Sequence, residues 1–196
     1  MIEYIKGEID ELSPAQLIMD CNGIGYELNI SLTTYSAFNG QKAGKIYVYE
    51  VIREDAHLLF GFATREEREL FLLLISVSGV GPNTARMILS SLPPFELVNV
   101  IASGDDVSLT SIKGIGSKTA QRIVVDLRNK VRTTENIGEK KKLISGDRSE
   151  TAEGAVSALI MLGFQKNPSR KVVDSILKNS PSASVEQVIK DALKML

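Results

Sequence analysis

Residues 77–89, VSGVGPNTARMIL, and residues 112–124, IKGIGSKTAQRIV, are two versions of one phrase. Aligned by their glycines, both read apolar-x-Gly-apolar-Gly-x-x-Thr-Ala-x-x-Ile-apolar, at an offset of 35 residues. The glycines let the backbone turn tightly and approach a ligand with no Cβ in the way. The apolar residue between them, Val80 or Ile115, is suited to anchor the turn in a core. Pro82 falls at a first helical position, where a missing N–H costs nothing. This is the helix-hairpin-helix pattern. The unpaired N–H groups opening the second helix, together with its dipole, favour an anion such as a phosphate. Lys118 and Arg122, four residues apart, share a helix face and can add charge-assisted contacts. One Gly-x-Gly alone reads equally well as a plain interhelical turn; two copies with matching flanks weigh against that. Contacts of this kind position a protein on a duplex without reading its sequence, so the expected selectivity is for DNA shape.

Outward from these hairpins, residues 64–131 read as helical. Thr64 followed by Glu67 is a capping-box signature, LFLLLISVS continues as helix, and further helices are expected at 84–92, 94–103, 105–112 and 117–131. Residues 1–63 read as β: short alternating runs separated by turn signals at Ser13-Pro14 and Asn22-Gly23 suggest a small OB-like barrel. Residues 132–150 lose apolar periodicity and read as a flexible linker. In residues 151–196, Ala155, Ala158, Leu159 and Leu162 fall on one helix face and Gly163 ends that helix. RKVVDSILKN is a second helix, and Ser184 with Gln187 caps a third. The expected fold is therefore an α+β multidomain chain: an OB-like β-barrel (1–63), an all-α tandem helix-hairpin-helix domain (64–131), a linker (132–150) and a three-helix bundle (151–196).

Composition narrows the function. The net charge of −1 does not itself suggest a nucleic-acid partner, but the charge is unevenly spread. Residues 1–62 carry four Lys/Arg against nine Asp/Glu, and residues 63–133 carry nine against seven. Phosphate binding must then come from local donors rather than from a generally basic chain. Cys21 is the single cysteine, which excludes an internal disulfide and a cysteine zinc site; its alternation with Leu17 and Met19 reads as a buried, inert strand position. The apolar stretch from Leu70 to Val80 is too short to span a bilayer, and the N-terminus has no signal-peptide pattern, so a soluble cytoplasmic protein is expected. No G-x-x-x-x-G-K-[ST] phosphate loop is present; Gly116-Ser-Lys-Thr resembles only its tail. Arg53-Glu-Asp-Ala-His57 reads as an exposed hairpin tip. Its two acids are too few for a nuclease metal centre, and on sequence alone they read as a solvated turn. Tyr4, Tyr26, Tyr47 and Tyr49 are either stacking residues for a single strand or core, and the acidic balance of the barrel argues for core.

The residues that carry these readings also resemble the RuvA family of Holliday-junction-binding subunits. The resemblance rests on Gly23-Ile-Gly-Tyr-Glu, Arg53-Glu-Asp-Ala-His-Leu-Leu-Phe-Gly-Phe, Gly79-Val-Gly-Pro, Gly114-Ile-Gly-Ser-Lys-Thr-Ala and Ala155-Val-Ser-Ala-Leu-Ile-Met-Leu-Gly-Phe. It spans all three expected domains in order. It implies a non-catalytic homotetramer, or a pair of tetramers, that binds four-way junction and duplex DNA. The implied DNA contacts are at Gly79, Val80, Gly81, Asn83, Arg86, Gly114, Ile115, Gly116, Ser117, Lys118, Thr119 and Arg122. It further implies an acidic pin at Glu54 and Asp55, which keeps phosphates off the crossover. The third domain would bind the hexameric ATPase RuvB through Leu159, Leu162, Gly163 and Phe164, and the nuclease RuvC would share the junction. The chain itself would need no cofactor; ATP and Mg belong to the motor. Two departures stand out: Asn83 and Ser117 occupy positions where the family often has Lys. Arg86, one turn beyond Asn83, is the expected substitute.

Overall fold

The N-terminal part forms five strands: β1 (Tyr4–Ser13), β2 (Gln16–Asp20), β3 (Gly25–Ile30), β4 (Ala43–Ile52) and β5 (His57–Phe62), the last buried on both faces from Leu59 to Phe62. In the computed structural model, which describes residues 1–143, 147–180 and 183–195, they close a barrel in the order β1-β2-β3-β5-β4. Helix α1 (Leu32–Phe38) connects β3 to β4. The pairings are antiparallel except for β3 with β5. Leu17, Met19, Leu28, Ile30, Ile46 and Val48 fill the interior. This is the expected OB-like barrel. Asn22 and Gly23 both take positive φ, 58° and 85°, as a two-residue hairpin loop demands. Cys21 differs from expectation. The β2–β3 ladder ends at Asp20 and Gly25, and Cys21 spends its backbone closing the turn with Ile24. Its half-buried side chain lies 3.4 Å from the Lys6 carbonyl oxygen, and burial, with Asp20 adding, pushes the thiol pKa up.

The helical part comprises α2 (Arg65–Ile75), α3 (Pro82–Ser91), α4 (Pro94–Ser103), α5 (Asp106–Thr110) and α6 (Ser117–Leu143). The tract expected to link the domains keeps helical backbone to Leu143, and α7 begins at Asp147. Residues 144–146 lie outside the described residues. The sequence after Val131 offers no apolar stripe to bury, but it holds no Pro, and its Glu and Lys residues are good helix formers. Residues Met1–Asn136 form one compact unit and Ile137–Leu196 a second. In the second unit, α7 (Asp147–Met161), α8 (Lys166–Asn179) and α9 (Val185–Ala192) pack around Ala155, Leu159, Val173, Leu177 and Val188.

Barrel and hairpin domain share a core. Phe71 of α2 sits with its ring 4.8–5.5 Å from those of Tyr49, Phe60 and Phe62 on β4 and β5. Beside it Glu67, 1% exposed, is the residue of the expected capping box. Thr64 does cap α2, accepting from the Glu67 N–H at 3.1 Å. The Glu67 carboxylate, however, accepts from the Ser31 hydroxyl, from the Thr34 hydroxyl at 2.7 Å and from the Ala63 N–H at 3.2 Å. It therefore bonds α2 to the loop and helix that follow β3. Burial dominates its titration and pushes its pKa up, against the lowering effect of those donors.

Removing this acceptor in Glu67→Ala strands the buried Ser31 and Thr34 hydroxyl donors, while the Ala63 N–H keeps the Thr34 hydroxyl oxygen at 3.0 Å, and should cost about 2–4 kcal/mol in denaturant unfolding. Glu67→Gln keeps most of the bonding and should cost less. A raised folded-state pKa makes the Glu67 contribution most favourable below the ordinary carboxylate value; it is lost as pH rises through the folded value. Wild type should therefore gain stability relative to Glu67→Gln as pH falls from about 7 to about 4. A pH-independent difference between the two would show that Glu67 does not titrate in this way.

Candidate nucleic-acid interface

The two hairpins share three turn-closing bonds at equivalent positions. In the first, the Val77 N–H donates to Leu74 O, Val80 N–H to Val77 O and Ala85 N–H to Gly81 O. In the second, Ile112 N–H donates to Leu109 O, Ile115 N–H to Ile112 O and Ala120 N–H to Gly116 O. Val77, Val80, Ile112 and Ile115 are all buried in one shared cluster, so the residue between each glycine pair anchors its turn as expected. Gly79 and Gly114 have φ of 93° and 90°, a conformation that excludes most side chains. Gly81 and Gly116 are different. Gly81 has φ −87°, open to any residue, and neither glycine lies in the left-handed region. A Cβ built on either would meet nothing within 4 Å. The fold itself thus does not require glycine at these two positions; they leave clear ground in front of the following helix. That helix starts with N–H groups that have no intrahelical acceptor, including those of Asn83 and Thr84 in α3 and Lys118 in α6.

The side chains around the hairpins divide unequally. Asn83, Ser117, Lys118 and Arg122 are exposed, and Thr119 is half-buried. Lys113, exposed beside Gly114, joins this set; sequence reasoning passed over it, although it stands inside the quoted phrase. Arg86, expected to stand in for a cation at Asn83, is partly engaged by the barrel. Its Nη1 donates to Ala15 O at 3.2 Å and to Asn29 Oδ1 at 3.0 Å, both on the barrel, and partial burial lowers its pKa. Nearby, the Thr33 hydroxyl donates to Leu89 O and the Leu32 N–H to Ser90 Oγ. Arg86 therefore belongs to a polar seam between α3 and the barrel. Arg122 spans the hairpins, its Nη1 donating to Ser78 O at 3.0 Å.

On the barrel, Arg53 N–H donates to Ala56 O at 2.8 Å, which makes Glu54 and Asp55 the exposed tip of the β4–β5 hairpin. His57 starts β5, with Nε2 3.6 Å from Glu50. Tyr47 and Tyr49 pack on the hairpin-domain core and Tyr26 on the barrel core; Tyr4 is half exposed and carries Lys45 over its ring at 4.0 Å. Among the described residues, no group of His, Cys, Asp and Glu is arranged to hold a metal, and no helix is long and apolar enough to cross a membrane.

In the second unit, Leu159 is core and Phe164 half-buried against it. Leu162 leaves the predicted face and is 59% exposed. Helix α7 ends at Met161, and Gly163 (φ 97°) reverses the chain, with Phe164 N–H donating to Leu159 O. Leu162 still donates its N–H to Ala158 O at 3.0 Å, so it is the last residue before this left-handed stop. Met161, 87% exposed, stands beside it.

A closed barrel joined to paired hairpins with open glycine turns defines a DNA-binding protein of the tandem helix-hairpin-helix class. Family models agree segment by segment: the RuvA N-terminal domain matches residues 1–61, the SAM-like helix-hairpin-helix tandem residues 71–129 and the RuvA C-terminal domain residues 151–196. The chain is 66% identical to a protein of Parabacteroides distasonis, 58% to one of Bacteroides fragilis and 51% to one of Porphyromonas gingivalis, with both chains covered completely in each case. All three relatives are named Holliday junction branch migration complex subunit RuvA. The chain belongs to the RuvA family.

Losing the Arg86 bonds should loosen the seam. Arg86→Ala is expected to lower unfolding stability by about 1–3 kcal/mol; an unchanged denaturation midpoint would mean that the barrel holds α3 without it.

Proposed function

We propose that this chain is the non-catalytic, junction-binding subunit of a branch migration complex, acting in DNA recombination and repair in the cytoplasm. Four copies grip the four arms of a Holliday junction by their phosphates and hold them open and planar, as one tetramer or as a facing pair. The observation that carries the reading is the open ground at Gly81 and Gly116. Glycine there answers no need of the fold and leaves the helix-opening N–H groups accessible to a phosphate. Gly79, Val80, Gly114 and Ile115 build the turns. Asn83, Ser117, Lys118 and Thr119 head the two helices, and Lys118 and Arg122 add charge. Arg86 is left out of the phosphate set because its guanidinium serves the barrel. Glu54 and Asp55, at the tip of the β4–β5 hairpin, repel phosphates from the crossover.

Motor activity comes from a partner ATPase of the RuvB type, which uses ATP and Mg; the chain needs no cofactor of its own, and a RuvC-type nuclease shares the junction. The second unit docks the motor through the apolar end of α7, where Met161 and Leu162 are exposed, with Leu159, Gly163 and Phe164 shaping that end from within.

Gel-shift titration of a synthetic four-way junction against a linear duplex, at two salt concentrations, tests the binding reading. A junction preference of about a hundredfold, or about 2.7 kcal/mol, is expected, and Lys118→Ala should flatten the salt dependence by about one unit of slope per lost contact. Equal binding to both DNAs would reduce the protein to a general duplex-gripping module. The docking reading is tested by Leu162→Asp, which should leave junction affinity unchanged while abolishing stimulation of the motor's ATPase; undiminished stimulation would move the docking site elsewhere.

A further inference from the structure

The 35-residue repeat aligns the hairpins position by position, and the alignment exposes a charge imbalance. Ser78, Asn83 and Met87 of the first hairpin correspond to Lys113, Lys118 and Arg122 of the second. The first hairpin thus has no cation at any of three positions where the second has one. Arg86, its nearest basic residue, gives Nη1 to Ala15 O and Asn29 Oδ1 of the barrel. Both turns nonetheless have the same backbone geometry and the same open glycines. If both face phosphates, one does so without a charge of its own.

Arg122 resolves the imbalance. It is rooted one turn into α6, on the second hairpin, but its Nη1 reaches across 3.0 Å to the carbonyl of Ser78, in the turn of the first. The side chain is otherwise exposed. A guanidinium has five donors in a planar fork; Ser78 O takes one of them and fixes the fork at the first turn, and the exposed side chain has further donors to offer a ligand. The bond also covers a carbonyl oxygen that would repel an approaching phosphate. We infer that Arg122 is the phosphate-binding cation of the first hairpin, lent to it by the second, and that it replaces the charge absent at Asn83. This inference rests on the hairpins being the DNA site. It assigns Arg122 to a different hairpin from the one that carries it, and makes the Ser78 carbonyl its positioning partner. A lysine at position 122 would bring the charge with a less fixed geometry, because an ammonium is a point charge without the planar fork.

A double-mutant cycle on the full-length protein, read as four-way-junction affinity and its salt slope, tests the assignment. Arg122→Ala should weaken binding about tenfold and lower the salt slope, which loss of a merely structural clip would not do. Asn83→Lys puts a cation on the first hairpin. It should restore most of the affinity of Arg122→Ala, yet improve the wild type by less than about twofold, because the place is already filled. Ser117→Lys puts a cation on the second hairpin and serves as the control; it should change both backgrounds by the same factor. Equal rescue of Arg122→Ala by the two lysines, or an Asn83→Lys gain that is the same in both backgrounds, would overturn the assignment. Unchanged binding by Lys118→Ala and Arg122→Ala alike would instead overturn the hairpins as the DNA site, and the inference with them.

Discussion

The seating of α2 on the barrel is the constraint from which the rest of the first unit follows. This helix is both the first arm of the first hairpin and the element that packs on β4 and β5 of the barrel. Phe71 fixes it by inserting among Tyr49, Phe60 and Phe62, a burial of aromatic surface worth several kcal/mol. Apolar burial is tolerant of rotation, however, and a helix held by one ring can roll. Glu67 removes that freedom. Its two carboxylate oxygens take directional bonds from Ser31, Thr34 and Ala63, and none is satisfied if α2 turns. Arg68, on the next residue, adds a 2.7 Å ion pair to Glu3 at the start of β1. The acidic tip on β4–β5 and the hairpin on α2–α3 are therefore parts of one compact unit, although they come from segments that read as separate domains.

The same logic explains why the two hairpins sit in a common core rather than on separate supports. Each turn is closed from inside by an apolar residue, and Val80 and Ile115 enter the same cluster. The spacing between the two open turns is thereby set by side-chain packing, which changes little once formed. The outer bond from Arg122 to Ser78 O ties the turns again on the solvent side. Inner packing sets the distance and outer bonding sets the charge.

Much of this was legible in the sequence, and the boundary of legibility has a physical shape. Local rules held where backbone geometry decides: the Asn22-Gly23 hairpin, the Thr64 and Ser184 caps, the glycine turns and the stop at Gly163 all follow from conformations that few residues can adopt. Periodicity located most core residues, but it failed for Leu162, which is exposed at the last step before the Gly163 stop. Cys21 was misread for a similar reason, since alternation continues past the last ladder pair. What sequence could not supply was the destination of long side chains. Arg86 and Arg122 both looked like phosphate ligands by position. One is bonded to barrel residues 57 and 71 positions away, the other to a carbonyl 44 positions away, and a linear pattern carries no information about such distances.

The sparse charge of the first hairpin has a consequence for selectivity under the proposed function. Cations gain affinity by releasing counterions from any duplex, whatever its shape, and each one strengthens non-specific binding as much as specific binding. Oriented N–H groups at a helix start act only on a phosphate that arrives in line with them. A subunit with fewer lysines at its hairpins, here Asn83 and Ser117 in place of cations, therefore gives up affinity that linear DNA would share. It keeps the part that depends on several phosphates being correctly placed at once. With the barrel carrying nine acids against four bases over residues 1–62, the rest of the surface adds little general attraction. The arrangement trades strength for discrimination: a duplex that engages one pair of hairpins gains little, whereas a four-armed substrate that engages several gains their combined effective concentration.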